Sequence, residues 1–496
     1  MKYVSTRNKN VSVSAHQAIL KGLAADGGLY TPADLQIHFT PEQFLHKTYQ
    51  ETAAMILSAF LDDYSKEEIR EAVQKAYDDK FDDEDIAPVR SLTDTNLLEL
   101  YHGPTSAFKD LALTILPTFL TDAIRKENCQ DTICILTATS GDTGKAALAG
   151  FKDVPGTAIT VFYPEIGVSA IQKRQMQTSQ GNNVNVIAVK GNFDDCQRMV
   201  KQAASDPEII AAGKGVSLSS ANSINLGRLL PQIVYYCTAY AKLVENSKIK
   251  CGDEINVAVP TGNFGDILAG WLAKAIGLPI HKLICASNTN NVLYDFLTTG
   301  TYDSRRPFHN TMSPAMDILV SSNLERLLFL KSKKDDALVK DLMKQLQTDG
   351  KYTVSAELLA SIQNDMTGEW TNEEDCARTI HDTWQNEHVL IDPHTAVALH
   401  GLKQYQQDTK DSRPSLVLST ASAYKFSHDV YKALTNKEEA DDFKAMKDLC
   451  TLTGCPIPAN LANLENLRVR FHTVIDQEDG MNTIRNIMEE LSHARH

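Results

Sequence analysis

No two of the nine cysteines are spaced as a C-x-x-C pair. The nearest, Cys450 and Cys455, have no second pair of ligands beside them, which argues against a zinc site. The odd count and the scatter along the chain fit free thiols in a reducing compartment. No run approaches the roughly 20 apolar residues of a membrane helix. The opening MKYVSTRNKN lacks the apolar centre of a secretory signal. The expectation is a soluble cytoplasmic protein without a membrane partner. Positive charge is in deficit: 49 Lys and Arg stand against 63 Asp and Glu, a net charge of −14. Such a chain is poorly suited to nucleic acid, whose binding needs a basic surface to displace counterions. Internal repeats and low-complexity tracts are also missing. What remains is a globular composition, 43% hydrophobic and 23% charged over 496 residues. That length fits about two to four domains.

Residues 1–95 read as a mostly helical unit. TPEQFLHKTYQETAAMILSAFL offers a cap at Thr40 and Pro41 at the first helical position. SKEEIREAVQKAYDD follows, with Ser65 as its cap. The acidic run 78–88 reads as a solvated boundary loop. Then the rhythm changes. Short apolar, β-rich segments at 132–139, 157–164 and 183–191 alternate with helical ones, SAIQKRQMQ and 194–204 among them. The alternation resumes at 254–277, 281–288 and 415–422. This is the pattern of α/β architecture with parallel sheets, and a second Gly-marked turn implies two of them. The division expected is a large domain from 96–130 and 240–496, with a smaller one, 131–239, inserted.

Five segments could carry chemistry. In GPTSAFKDLALTILPTFLTDAIRK (103–126) a long helix begins near Phe108 and places Lys109 in its first turn. The helix field and apolar neighbours would lower the lysine's pKa and expose a neutral amine, the form that makes a Schiff base. On spacing alone, a solvated lysine beside a helix-start Asp110 is the commoner situation. In TATSGDTGKAA (137–147), Thr139, Ser140, Asp142 and Thr143 crowd a helix start suited to a carboxylate or phosphate. Only two residues separate Gly141 from Gly144, and Ala146 stands where a P-loop needs Ser or Thr, so a nucleoside triphosphatase is excluded. In VAVPTGNFGDILAG (257–270), Thr261, Gly262, Asn263, Phe264 and Gly265 form a turn whose amides can face a phosphate. It is not a dinucleotide fingerprint. Asp266 there would point away or cap the helix. In SSANSINLGRLLPQ, Asn222, Ser223 and Asn225 precede Arg228, a bidentate anion ligand. A capped helix with a surface arginine is the plain alternative. LSTASAYKF ends a strand in hydroxyls at Ser419, Thr420 and Ser422, where α/β folds place ligands. A polar turn explains it equally well.

Together these segments resemble the threonine synthase family. HGPTSAFKD, TATSGDTGKAA, YPEIGVSAIQKRQM, ANSIN with GRLLPQ, and PTGNFGD are similar to its blocks in family order, as are STRN and AADGGLYTP. The likeness covers nearly the whole chain and favours the long bacterial and fungal branch. It implies the tryptophan synthase β-like fold (fold type II), with two interleaved parallel-rich domains and the N-terminal unit. It implies pyridoxal 5'-phosphate as cofactor and no metal. The reaction implied turns O-phospho-L-homoserine and water into L-threonine and phosphate, in a monomer or homodimer. By resemblance Lys109 is the Schiff-base lysine. Residues 261–265 cradle the cofactor phosphate, Asn263 lies near the phenolic oxygen, and Thr420 faces the pyridine nitrogen. Thr139, Ser140, Asp142 and Thr143 hold the amino-acid end of the substrate; Asn222, Ser223 and Arg228 hold its phosphate. Ser422 and Ala423 depart from the histidine and proline of many relatives. The nearest alternative is another lyase of this fold, a threonine dehydratase or cysteine synthase-like enzyme. Those carry Ser-x-Asn-x-Gly where this chain has Ser140-Gly-Asp-Thr-Gly, and they need no second phosphate site. A catalytically silent cofactor or amino-phosphate binding protein is the other.

Overall fold

The computed structural model describes residues 1–494. Its N-terminal unit holds the expected helices and, besides them, a small antiparallel sheet. Strands β1 (Tyr3–Ser5), β2 (Asn8–Val13) and β3 (Tyr30–Pro32) pair in the order β2-β1-β3. β1 and β3 are three residues long and β2 is mostly exposed, so no alternation shows in the sequence. Helix α1 (Ala15–Lys21) leaves the sheet, and α2 (Tyr49–Phe60) and α3 (Lys66–Ala76) follow. Thr40 caps only the single turn Pro41–Phe44. The chain then breaks at His46, whose φ is +59°. The long helix starts at Thr48, which forms a reciprocal capping box with Glu51. Ala53, Ile56, Leu57 and Phe60 of α2 are buried at helical spacing.

Two parallel-rich sheets make up the rest. The chain enters the first through β4 (Val89–Ser91), antiparallel to β5 (Asn96–Glu99). The single helix expected from Phe108 is two pieces, α4 (Asp110–Leu113) and α5 (Leu116–Lys126). Pro117 has no amide to bond a carbonyl one turn back, so the helix restarts with that proline in its first turn. The second sheet is built from β6 (Thr132–Ala138), β7 (Thr157–Pro164), β8 (Val184–Lys190) and β9 (Val216–Ser219), all neighbours parallel. Helices α6 (Asp142–Phe151), α7 (Ala170–Gln177), α8 (Phe193–Ala203) and α9 (Pro207–Ala212) connect them. The chain returns through α10 (Leu226–Leu229) and α11 (Gln232–Glu245). The first sheet then gains β10 (Ile255–Pro260) and β11 (Ile280–Ser287), with α12 (Gly265–Ala275) between them. After a hairpin-like pair, β12 (Thr301–Asp303) with β13 (Lys351–Thr353), come β14 (Met366–Trp370) and β15 (Ser415–Ser419). The final order is β14-β11-β10-β15-β5-β4.

One domain assignment is corrected. Strand β16 (Val474–Asp476) pairs in parallel with β8, and the helix Gly480–His493 packs on α8 and α9. The C-terminal segment therefore completes the second sheet, although the sequence reading left it with the first. Every residue of β10 and β15 is buried, as expected for parallel strands covered on both faces. Helix α11 is buried on nearly all sides. Among the described residues no helix is long and apolar enough to cross a membrane. The chain leaving the carboxyl ends of β5, β6, β10 and β15 runs directly into the segments singled out above, the position where α/β folds place ligands.

Candidate active site

Backbone bonds stitch the Lys109 loop to the end of β15. The Phe108 amide donates to the Thr420 carbonyl (2.8 Å), and the Ser422 amide donates to the Ser106 carbonyl (3.1 Å). Ala107 and Ala421 form an isolated bridge. Lys109 and Thr420 thus line one cavity, with about 580 Å³ of atom-free space. Asp110 is a buried clamp, not a surface acid: its carboxylate accepts from the Thr105 amide (2.8 Å) and hydroxyl (2.6 Å). Burial pushes its carboxyl up to about 6.

Lys109 is buried, and burial lowers its ammonium to about 8. Asp142 opposes that shift, while Arg228 and Lys425 reinforce it. Of the two expected causes, apolar surroundings are the larger one, while the helix dipole is a poor one because α4 has only four residues. Asp142 lies between two lysines: Lys425 Nζ is 2.5 Å from Oδ1, and Lys109 Nζ is 3.8 Å from Oδ2. Gln172 Nε2 also donates to Oδ1 (2.7 Å). Burial alone would raise this carboxyl, but Lys425 and Lys109 hold it well below the usual carboxylate range.

The turn after β10 faces the same cavity from the other side. Thr261, Gly262, Asn263, Phe264 and Gly265 all line it. Phe264 sits at φ +64°, a conformation costly for a bulky side chain. A Cβ on Gly262 would lie 2.5 Å from the Ala315 carbonyl oxygen, so only glycine fits. The turn's shape is pinned from behind. Ser321 Oγ donates to the Gly262 carbonyl (2.7 Å), and the Asn323 amide and side chain donate to the Asn263 carbonyl (both 3.0 Å). Among the described residues the amides of Gly262, Asn263 and Phe264 have no acceptor. Asn263 Oδ1 is buried without a partner.

Arg228 is 2% exposed and reaches the cavity from α10. Its Nη1 donates to the Ala221 carbonyl (2.7 Å), and its Nε has no partner. Burial lowers this guanidinium to about 10. Ser223 lines the cavity too and accepts from Asn323 Nδ2 (3.1 Å). Thr143 is the third neighbour on this side.

Other expected site residues stand behind the wall. Thr139 Oγ1 accepts from the amides of Gly141 (2.9 Å) and Gly144 (2.8 Å), which shapes the turn. Asn222 Nδ2 donates to the Ala138 carbonyl (2.9 Å), tying its segment to the end of β6. Asn225 caps α10 and also donates to the Ile19 carbonyl (3.0 Å). Ser140 is half-buried and, with Thr139, Asp142 and Asn222, lies outside the cavity lining. Asp266 neither caps its helix nor points away: it lines the cavity and accepts from the Tyr235 (2.6 Å) and Tyr236 (2.7 Å) hydroxyls.

Sequence reasoning missed several participants. Lys425 is fully buried and also donates to the Thr105 carbonyl (3.0 Å). His394 lines the cavity; its Nε2 accepts from the Ala315 amide (3.1 Å), so Nδ1 carries the proton donated to Asp392 (2.7 Å). Arg326 is buried and donates to the carbonyls of Tyr30 (2.9 Å) and Ile224 (2.6 Å) and to Asn323 Oδ1. It thereby braces the Ser223 segment against the N-terminal unit. No local spacing announces any of the three. Among the described residues no group of His, Cys, Asp and Glu is arranged to hold a metal ion.

Three family models match in succession. They are threonine synthase N terminus over residues 2–77, pyridoxal-phosphate dependent enzyme over 97–421, and threonine synthase, C-terminal, over 395–484. Threonine synthase-like 1 of Macaca fascicularis is 41% identical over 85% of this chain. The chain spans 58% of the length of that relative. Threonine synthase of Pseudomonas aeruginosa is 36% identical, with 87% of this chain and 90% of the relative aligned. The crystal structure of threonine synthase from Brucella melitensis superposes with a TM-score of 0.86 at 36% identity, covering 99% of each chain. With models covering its N-terminal, central and C-terminal parts, and a relative of similar length aligned nearly end to end, this chain belongs to the threonine synthase family.

Proposed function

We propose that the protein is a threonine synthase, converting O-phospho-L-homoserine and water to L-threonine and phosphate with pyridoxal 5'-phosphate. One observation carries the proposal. A buried amine, a turn with unpartnered amides and a buried arginine with an unpartnered Nε meet in one cavity. The cofactor's fit can be judged on the residues present. The amides at 262–264 suit a phosphate, Asn263 has a spare polar atom, and Lys109, lowered to about 8, offers far more neutral amine near physiological pH than a solvated lysine does. When bound, pyridoxal phosphate supplies an electron sink that acidifies the hydrogens next to the substrate's amino-bearing carbon.

The chain supplies the rest. Lys109 Nζ removes the proton from Cα and then one from Cβ, which its lowered pKa permits near neutral pH. The phosphate leaves from Cγ, which takes up the proton lost from Cβ; water then adds its hydroxyl to Cβ, its other proton goes to the departing phosphate, and Lys109 returns a proton to Cα. Arg228 and Ser223 hold the phosphate end. The turn at 139–143 takes the amino-acid end: Thr143 from the cavity wall, and Thr139, Ser140 and Asp142 from behind it. Asn222 acts through the backbone it secures. Asp142 stores positive charge at Lys109 between proton transfers. Thr420 would hold the pyridine nitrogen, where a hydroxyl would leave that nitrogen neutral. The nine free thiols fit a cytoplasmic location.

The second anion ligand disfavours a dehydratase or a cysteine synthase-like enzyme, and the intact lysine disfavours a silent binder. The deciding experiment supplies O-phosphohomoserine to the cofactor-loaded protein and measures threonine and phosphate. Equal amounts of both are expected. Phosphate released with a keto acid in place of threonine would overturn the assignment.

A further inference from the structure

Among the described residues Asp266 is the one carboxyl in a cavity otherwise equipped for phosphates. Its Oδ1 is occupied by two tyrosine hydroxyls, Tyr235 at 2.6 Å and Tyr236 at 2.7 Å. Its Oδ2 is buried and has no partner. The residue itself is 7% exposed and lines the cavity directly after the turn with the unpartnered amides. An ionised carboxylate there would repel a phosphate dianion. A protonated one would donate from Oδ2, the oxygen left free.

We propose that Asp266 binds phosphate as a neutral acid, donating its proton from Oδ2 to a phosphate monoester oxygen in this cavity. The proposal rests on the function proposed above and extends it to a residue given no role there. The chemistry is the same whether the phosphate belongs to the cofactor or to the substrate. Burial supports it by raising the Asp266 carboxyl to about 6 against the opposing bonds from Tyr235 and Tyr236 and the charge on Lys109. The other titratable groups facing the cavity are Arg228 and His394. Above about pH 6, binding then takes up one proton from solvent, and affinity falls as Asp266 ionises in the free protein.

Asp266→Asn separates this titration from the phosphate's own. Asparagine keeps an oxygen for the tyrosines and presents an N–H where the acid presents O–H. In one arm, inorganic phosphate is titrated into the cofactor-loaded protein; in the other, pyridoxal phosphate into the full chain freed of cofactor. The arm that responds identifies which phosphate Asp266 meets. There, the wild-type to variant ratio of dissociation constants is expected to rise about fiftyfold from pH 6 to pH 8. Calorimetry in two buffers at pH 8 should show about one proton more taken up by wild type than by the variant. Tyr235→Phe removes one bond that favours the ionised form, so its affinity should persist to higher pH. This second variant keeps the test decisive if asparagine disturbs the fold. A constant ratio with no extra proton uptake by wild type in either arm overturns the role of Asp266 and leaves the proposed function standing. Failure of the wild type to bind either probe overturns both.

Discussion

Replacing Asp142 with asparagine should shift the reactivity of Lys109 downward in pH. The carboxylate is 3.8 Å from Lys109 Nζ, and Lys425 lies on its other side. At an effective dielectric constant of about 20, a unit pair at that distance is worth about 4 kcal/mol, or about 3 pKa units. That is a ceiling, since Lys425 shares the same carboxylate. The sign follows from the charges. Asp142 favours the ammonium form, so its loss lowers the Lys109 value below about 8, by no more than that ceiling. The assay is the rate at which cofactor-free protein attaches pyridoxal phosphate, followed by absorbance near about 410–420 nm between pH 5 and 9. Only the neutral amine reacts, so the wild-type rate should fall tenfold per unit below about pH 8. The Asp142→Asn rate should stay level to lower pH. Lys425→Met should move the midpoint the other way, because Asp142 then serves Lys109 alone. Each variant removes one partner of a buried pair, at a stability cost of about 3–5 kcal/mol, so thermal unfolding is measured first. A midpoint unchanged in both folded variants would refute the electrostatic account.

Lys109→Ala should abolish the visible band and turnover; full activity would remove the lysine from the mechanism. Arg228→Ala should weaken O-phosphohomoserine binding by about 2–5 kcal/mol while the cofactor band persists. Binding of substrate and inorganic phosphate as tight as wild type would refute its role. In Gly262→Ala the new Cβ meets the Ala315 carbonyl at 2.5 Å, so a loss of about 1–3 kcal/mol in stability and weaker cofactor binding are expected. Unchanged melting and cofactor affinity would show that the turn has slack.

Much of this architecture was legible because its signals are local. Strand β7 runs from Thr157 to Pro164, as the apolar run between Gly156 and Pro164 implied. The turn at 261–265 announced itself through its glycines. Thr40 and Thr48 both form capping boxes, and local sequence does not rank them. What escaped depends on residues far apart in the chain. Asp142 with Lys425, and Arg326 with Tyr30, are hundreds of residues apart in sequence and meet in the folded molecule. Asp110 reads locally as a helix-start acid, and its burial is a property of the fold that leaves no local mark. Of the two causes expected for the Lys109 shift, the apolar surroundings hold, while the helix field is weak because that helix is one turn long.

Strand β16 has a consequence for how this protein is made. Strand β8 emerges early in synthesis, apolar and, apart from its last residue, largely buried in the finished molecule. Among the described residues its outer edge is paired by Val474–Asp476, which are translated long after it. Until then the nascent chain carries an open parallel edge able to template pairing with a neighbour. A terminal truncation that leaves every cavity residue intact would still leave that edge bare. Its first symptom would be aggregation on the way off the ribosome, before any defect in chemistry.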